Sequence, residues 1–243
     1  MKAMILAAGL GKRMRPLTEH TPKPLLKVAG LHLIEYHLQK LEKAGFKEVV
    51  INTHWLAEQI PEALGDGSRW GLKLHFSHEP NLLETAGGIL KALPALVGDK
   101  PNTDRQANDD DSESSDVFLV INGDVYCELD LAAWLSSAPE LDSHRNAYLA
   151  LVENPDHHLE GDFVFTSNDQ PLALIDQESA FTYSGIALFH ASFFKGLPAG
   201  PSRLGVLLKH AIAAQKVFGA ILPDYWLDVG TPERFECLRK RLE

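Results

Sequence analysis

Four short stretches carry residues whose types and spacing could do chemistry. The first is Gly9-Leu10-Gly11-Lys12-Arg13-Met14-Arg15-Pro16-Leu17-Thr18, which follows an apolar run. Two glycines behind a strand, with Ala8 before them, let backbone N–H groups approach phosphate oxygens closely. Five bases (Lys12, Arg13, Arg15, Lys23, Lys27) fall within residues 9–27, opposed only by Glu19. Arginine forks two phosphate oxygens, and lysine supplies a compact point charge. Two familiar phosphate loops are excluded. Met14 stands where a dinucleotide fold needs a third glycine, and no Gly-Lys-Ser/Thr occurs.

The second stretch is Thr21-Pro22-Lys23-Pro24, whose prolines predict an extended, stiffened backbone around a flexible lysine. The third is Asn122-Gly123-Asp124, directly after the apolar run 117–121. A carboxylate at the carboxyl end of a parallel strand sits where α/β folds bind ligands. A second carboxylate, Asp228 in Trp226-Leu227-Asp228-Val229-Gly230-Thr231, would make a pair of hard oxygen ligands for Mg²⁺. The fourth, Leu83-Glu84-Thr85-Ala86-Gly87-Gly88, has small residues against which a flat base or sugar could lie. Read singly, each has a plainer role: a solvated basic loop, a linker, a turn or helix cap, a helix start. His75/His78 and His157/His158 lack the geometry of a metal pair, because their side chains diverge. Ser184-Gly185 lacks the Gly-x-Ser-x-Gly elbow.

The elements that must position these residues follow from periodicity. Residues 2–7, 49–51, 72–77 and 117–121 predict strands, and 32–44, 55–64 and 85–93 predict helices. That alternation predicts a mainly parallel sheet with helices on both faces. In the second half, 145–152, 161–166 and 182–189 read as strands and 204–214 as a helix. Residues 231–242 read as a terminal helix with Thr231 as N-cap and Pro232 at the first helical position. The segment 98–116 carries a net charge of −5 and no large apolar residue, and is expected to be a solvated loop insertion.

Composition narrows the function classes. The chain has 243 residues, 45% of them hydrophobic, enough for one globular domain over 1–243. Net charge is −10, yet residues 1–47 carry +6 and the remainder −16. An acidic chain with one basic segment argues against nucleic acid and for a small anionic ligand held near the N-terminus. No apolar run is long enough to span a membrane. The apolar start is too short for a signal peptide, and two cysteines make no disulfide framework. A cytoplasmic location is the expectation.

Together, Leu6-Ala7-Ala8-Gly9-Leu10-Gly11-x-Arg13-Met14-x-Pro16-Leu17-Thr18, Pro22-Lys23-Pro24-Leu25 and Asn122-Gly123-Asp124 resemble the sugar-1-phosphate nucleotidyltransferase family. The resemblance runs from residue 1 to about 240, apart from the insertion. It implies a Rossmann-like mixed sheet of the glycosyltransferase A type. It also implies a Mg²⁺-dependent reaction of a nucleoside triphosphate with a sugar 1-phosphate, releasing pyrophosphate. Within the family the chain is similar to a short subgroup that joins UTP to N-acetylmuramate α-1-phosphate in peptidoglycan recycling. The cues are Leu83-Glu84-Thr85-x-Gly87-Gly88, Val50-Ile51-Asn52 with Trp55-Leu56, Asn154-Pro155-x-His157-His158 leading to Gly161-Asp162-Phe163, and Trp226 to Thr231. Guanylyl transfer to mannose 1-phosphate, thymidylyl or uridylyl transfer to glucose 1-phosphate, and a silent nucleotide-sugar sensor stay open as alternatives. Lys12 stands where the family usually has Thr, and Ala86 where the subgroup tends to have Gly.

Carried over residue by residue, the resemblance implies that Ala8, Gly9, Gly11, Lys12 and Arg13 cradle the triphosphate. Arg13 would neutralise the leaving pyrophosphate, and Lys23 would contact phosphate at the reacting centre. Asp124 and Asp228 would hold Mg²⁺. Glu79, Thr85 and Gly87 would line the base pocket, and Asn122, Asn154 and Asp162 would face the sugar.

Overall fold

Residues 1–98, 116–174 and 180–243 are described by a computed structural model. Except for its two end residues, the acidic segment expected over 98–116 lies outside the described residues.

The core strands alternate their side chains between two apolar layers, as the period of two requires. In β1 (Ala3–Leu6), Ala3 and Ile5 enter one layer and Met4 the other. In β6 (Val117–Asn122), Leu119 and Ile121 face the first layer, and Phe118 and Val120 the second. The first layer packs under α1 (Leu33–Lys43), α2 (Gln59–Leu64) and α4 (Leu131–Ser137), through residues such as Leu38, Ile60 and Trp134. The second packs under α3 (Glu84–Val97) and α5 (Leu204–Ala213), through Ile89, Leu96, Leu208 and Ile212. Helices thus cover both faces, as the alternation predicted. Each fully buried Leu, Ile or Phe contributes about 1.5–3 kcal/mol.

β4 (Glu48–Thr53) and β5 (Lys73–His78) extend the sheet beside β1, all parallel with β6. On the other side of β6, β11 (Ala180–His190) runs antiparallel. β8 (Ala147–Val152) opposes β11, and β12 (Val217–Ile221) lies parallel to β8, so both return to the direction of β1. β9 (Phe163–Val164) and β10 (Ala173–Leu174) complete the nine-stranded sheet at the start of β11. The result is the mixed, mainly parallel Rossmann-like sheet. Two small ladders stand apart: β2 (Lys27–Val28) with β3 (Leu31–His32), and β7 (Val125–Cys127) with β13 (Trp226–Asp228).

The last helix, α6 (Pro232–Leu242), begins as its sequence dictates, with the Thr231 hydroxyl accepting from the Arg234 N–H at 3.3 Å. Other boundaries differ from expectation. α2 starts at Gln59 because Trp55–Glu58 is a turn with Leu56 at φ 50. α3 runs to Val97, with Pro94 inside it. The strand expected at 161–166 shrinks to Phe163–Val164, and the one at 182–189 lengthens to 180–190. Among the described residues no helix is long and apolar enough to cross a membrane. Cys127 is buried, Cys237 is exposed, and both are free.

Candidate functional site

Register brings three strand ends to one level. Leu6 at the end of β1 pairs with Asn52 of β4 and Asn122 of β6. The chain therefore leaves all three strands at the same rim, the carboxyl edge where α/β sheets bind ligands. A cavity of about 250 Å³ opens there, between Ala8 and Gly9, Lys23, Glu79, Thr85 and the turn 122–124.

One wall of this cavity is a buried polar brace. The Asn52 amide donates to Glu79 Oε1 at 2.7 Å and accepts from the Ala7 N–H at 2.7 Å. Glu79 Oε2 accepts from the Leu83 N–H at 3.1 Å. Asn52 and Glu79 are 3% and 1% exposed, so their hydrogen bonds replace water almost fully. The brace ties the end of β4 to the residues before α3. Gly88 must approach it closely: a Cβ there would lie 2.5 Å from Glu79 Oε1 and 2.9 Å from Asn52 Nδ2. Gly88→Ala is expected to destabilise the fold by about 1–3 kcal/mol. Thermal denaturation checks this, and an unchanged Tm would refute it. Gly87 faces elsewhere, with a Cβ position 2.3 Å from the Gly200 carbonyl oxygen, so it packs α3 on the 200–202 loop.

The glycine loop turns back on itself at Gly11, where φ is +61° and a Cβ would meet Thr18 at 3.0 Å. The Thr18 hydroxyl donates to the Gly11 carbonyl at 2.7 Å, and the Trp55 indole N–H donates to the Thr18 carbonyl at 3.2 Å. Pinned this way, the loop leaves Lys12 and Arg13 exposed. Gly9 and Ala8 border the first cavity, whereas Arg13 borders the next one. Gly11 and Lys12 are among the lining residues of neither.

Lys23 does not lie on extended backbone. Lys23–Leu25 forms a 3₁₀ turn whose Leu26 N–H donates to the Lys23 carbonyl at 3.1 Å, and the fixed φ of Pro24 suits that turn. The side chain is 10% exposed, and its Nζ donates to Asp124 Oδ2 at 2.6 Å across 101 residues of sequence.

The β7–β13 ladder carries the second carboxylate to the first. Asp228 pairs with Val125, and the Val229 N–H donates to the Asp124 carbonyl at 2.8 Å. Both carboxylates line a second cavity of about 370 Å³, with Asn122, Asp162 and Arg13. Behind β7 sits His37 of α1, fully buried and hydrogen-bonded to the Val125 backbone. Burial first, then the charge of Lys40, pushes its pKa down to about 4, so it stays neutral at pH 7.

Asp124 and Asp228 each meet a cation. Arg234 Nη2 lies 3.1 Å from Asp228 Oδ2, and His157 Nε2 lies 3.8 Å from the same oxygen. Burial, then the neighbouring Arg234 charge, lowers the His157 pKa. Among the described residues no three His, Cys, Asp or Glu side chains converge. Two partly exposed carboxylates, Asp124 just before β7 and Asp228 at the end of β13, are nonetheless a donor set that fits Mg²⁺, which takes one or two carboxylates plus substrate phosphates.

The three residues expected to face a sugar separate into two groups. Asn122 lines both cavities and packs against Gly185, whose φ is +83° and whose Cβ would lie 2.7 Å from Asn122 Nδ2. Asp162 lines the second cavity, where it accepts from the Tyr183 N–H at 2.9 Å and pairs with His158 at 3.2 Å. Asn154 is spent on structure: its amide donates to the Leu159 carbonyl at 3.0 Å and accepts from the Thr182 hydroxyl at 2.9 Å. Trp226 packs against the first apolar layer, donates its indole N–H to the Ser184 carbonyl at 2.8 Å, and borders the second cavity. Asn52 entered the sequence reading only within a subgroup cue, with no role in the site, and Arg234 did not enter it. Asn52 ends a parallel strand as Asn122 does, a signal that could have found it. Arg234, an ordinary helix residue in sequence, had none.

Residues 2–163 match the nucleotidyl transferase family. A Neisseria meningitidis protein named N-acetylmuramate alpha-1-phosphate uridylyltransferase is 45% identical over 95% of this chain and 94% of its own length. A Caulobacter vibrioides protein of the same name is 32% identical over 99% of this chain and 96% of its own. The solved structure of HddC from Yersinia pseudotuberculosis complexed with GMP-PN superposes with a TM-score of 0.74 at 20% identity. It covers 100% of this chain and 99% of that one, a likeness of fold.

Proposed function

Because the chain belongs to the nucleotidyl transferase family, we propose that it joins UTP to N-acetylmuramate α-1-phosphate, forming UDP-N-acetylmuramate and pyrophosphate. The observation that carries this reading is the meeting of Lys23, Asp124 and Asp228 at the carboxyl edge of the sheet. The names borne by the two bacterial relatives, matched end to end, support UTP and N-acetylmuramate as the substrate pair. Residues 1–243 would act as one catalytic unit, serving peptidoglycan recycling in the cytoplasm, where UTP is available.

In this reading the first cavity takes the nucleotide against Ala8, Gly9 and Thr85, with the Asn52–Glu79 brace holding the wall in place. The second cavity takes the sugar phosphate, with Asn122 and Asp162 towards the sugar. Asn122 and Asp124 border both, so the two substrates meet beside Asp124. A sugar-phosphate oxygen attacks the α-phosphorus, and pyrophosphate leaves. The nucleophile is already anionic, so no side chain needs to take a proton. Lys23 holds positive charge at the reacting phosphates, and Arg13 adds a fork-shaped cation from the loop. Asp124 and Asp228 would hold Mg²⁺, which when bound supplies charge neutralisation to the phosphates. Catalysis is then positioning plus preorganised charge.

The test is pyrophosphate release with Mg²⁺, crossing UTP, dTTP, GTP and CTP with the α-1-phosphates of N-acetylmuramate, N-acetylglucosamine, glucose and mannose. Turnover is expected with UTP and N-acetylmuramate 1-phosphate. Turnover confined to another pair would overturn the substrate assignment and keep the reaction. Nucleotide binding without pyrophosphate release from any pair would overturn the enzyme reading in favour of a sensor.

A further inference from the structure

A third cavity, of about 630 Å³, adjoins the sugar-phosphate cavity and shares Arg13, His157 and Trp226 with it. Its remaining walls include Pro155, Thr231 and Arg234. The N-terminus of α6 therefore opens into space that adjoins the second cavity. Two arginines and a histidine border this space against two nearby acids, Asp156 on its rim and Asp228 behind Arg234.

Arg234 is the unusual member. Its side chain is 14% exposed, and one Nη2 contact to Asp228 is its salt bridge. Its Nε–H is buried and has no hydrogen-bond partner. A buried unpartnered donor on a charged group is costly, and an arginine fork is shaped for a carboxylate or phosphate. The phosphates already have Lys23, Arg13 and the glycine loop in the arrangement above. Trp226 is pinned by its bond to Ser184 and, with Pro155, gives the cavity an apolar wall beside the cations.

We propose that this cavity is a carboxylate subsite, in which Arg234, assisted by His157, reads the lactyl ether of the sugar substrate. The inference rests on the N-acetylmuramate reading above. N-acetylmuramate differs from N-acetylglucosamine by that ether, whose carboxylate suits the arginine and whose methyl group suits the Trp226–Pro155 wall. Arg234 is thus a specificity-determining residue for a substituent remote from the reacting phosphorus.

The experiment measures dissociation constants by calorimetry, with Mg²⁺ and a non-hydrolysable UTP analogue present. The ligands are N-acetylmuramate α-1-phosphate and its lactyl methyl ester, which has nearly the same shape without the charge. The wild-type protein is expected to bind the acid about tenfold or more tighter than the ester. Arg234→Gln is expected to bring the two within about threefold of each other, chiefly by weakening the acid. Thr231→Asp keeps a good N-cap while adding a negative charge to the cavity, and is expected to shift preference towards the ester. It serves as the second variant if Arg234→Gln fails to fold. Equal wild-type affinity for acid and ester would overturn the subsite while leaving the reaction in place. Variants that weaken acid and ester alike would also overturn it, showing that Arg234 acts only through Asp228. Wild-type binding of neither form, with glucose 1-phosphate bound instead, would strike the substrate reading itself.

Discussion

Asp124→Asn is expected to lower pyrophosphate release by about 10³-fold or more, with the fold intact. An amide keeps the shape and can still accept from Lys23, but it loses the charge that a hard cation requires. The side chain is 35% exposed, so its ion pair with Lys23 adds little to stability. Asp228→Asn is expected to behave alike, because the β7–β13 ladder sets both carboxylates on one cavity. Raising Mg²⁺ should recover part of the lost rate in either variant. Steady-state rates across a Mg²⁺ titration, with far-ultraviolet circular dichroism as the fold control, check this. A near-wild-type rate in either variant would remove that residue from the metal assignment.

Lys23→Ala is expected to lower kcat by about 10²-fold or more, the scale of one preorganised charge at a reacting centre. Lys23 is mostly buried, so its ammonium is held in place before substrate arrives, not recruited from solvent. Lys23→Arg should not restore the rate, because a wide planar fork does not fit a pocket shaped for a compact point charge. Removing Lys23 also leaves Asp124 without its cation, so the variant should bind divalent metal at least as well as wild type. Loss of kcat with retained metal binding would separate the lysine's role from that of the carboxylates. A variant that loses only KM would show that Lys23 merely captures substrate.

Much of the frame was legible in the residues, for physical reasons. β1, β4 and β6 are buried on both faces and so read as continuous apolar runs, and α1 presents Ile34, Leu38 and Leu41 on one side. Thr231-Pro232 announces α6 through capping chemistry that is local to three residues. β7 and β13 were not legible. Each is three residues long, and neither has a pattern until the other is beside it. β12 and α4 were overlooked for a similar reason, being short elements whose apolar residues find their partners across the fold. The same divide runs through the site. Gly9, Lys23, Asp124 and Asp228 could be picked from local motifs, and the structure brings them to one rim. The pairing of Asn52 with Glu79, the Arg234–Asp228 pair and the turning of Gly87 towards Gly200 are tertiary facts, although Asn52 itself carries the local mark of a residue ending a parallel strand.

The long reach of the Lys23–Asp124 contact, 101 residues, also bears on how the protein comes to life during synthesis. β7 waits a comparable stretch of chain for β13. Contacts this distant in sequence are slow to form, because loop closure must precede any stabilisation they bring. A growing chain could therefore assemble β1, β4 and β6 while still lacking one of its two carboxylates. Chemistry would switch on only once β13 has emerged and docked. Activity should accordingly be among the last properties to return on refolding, behind secondary structure.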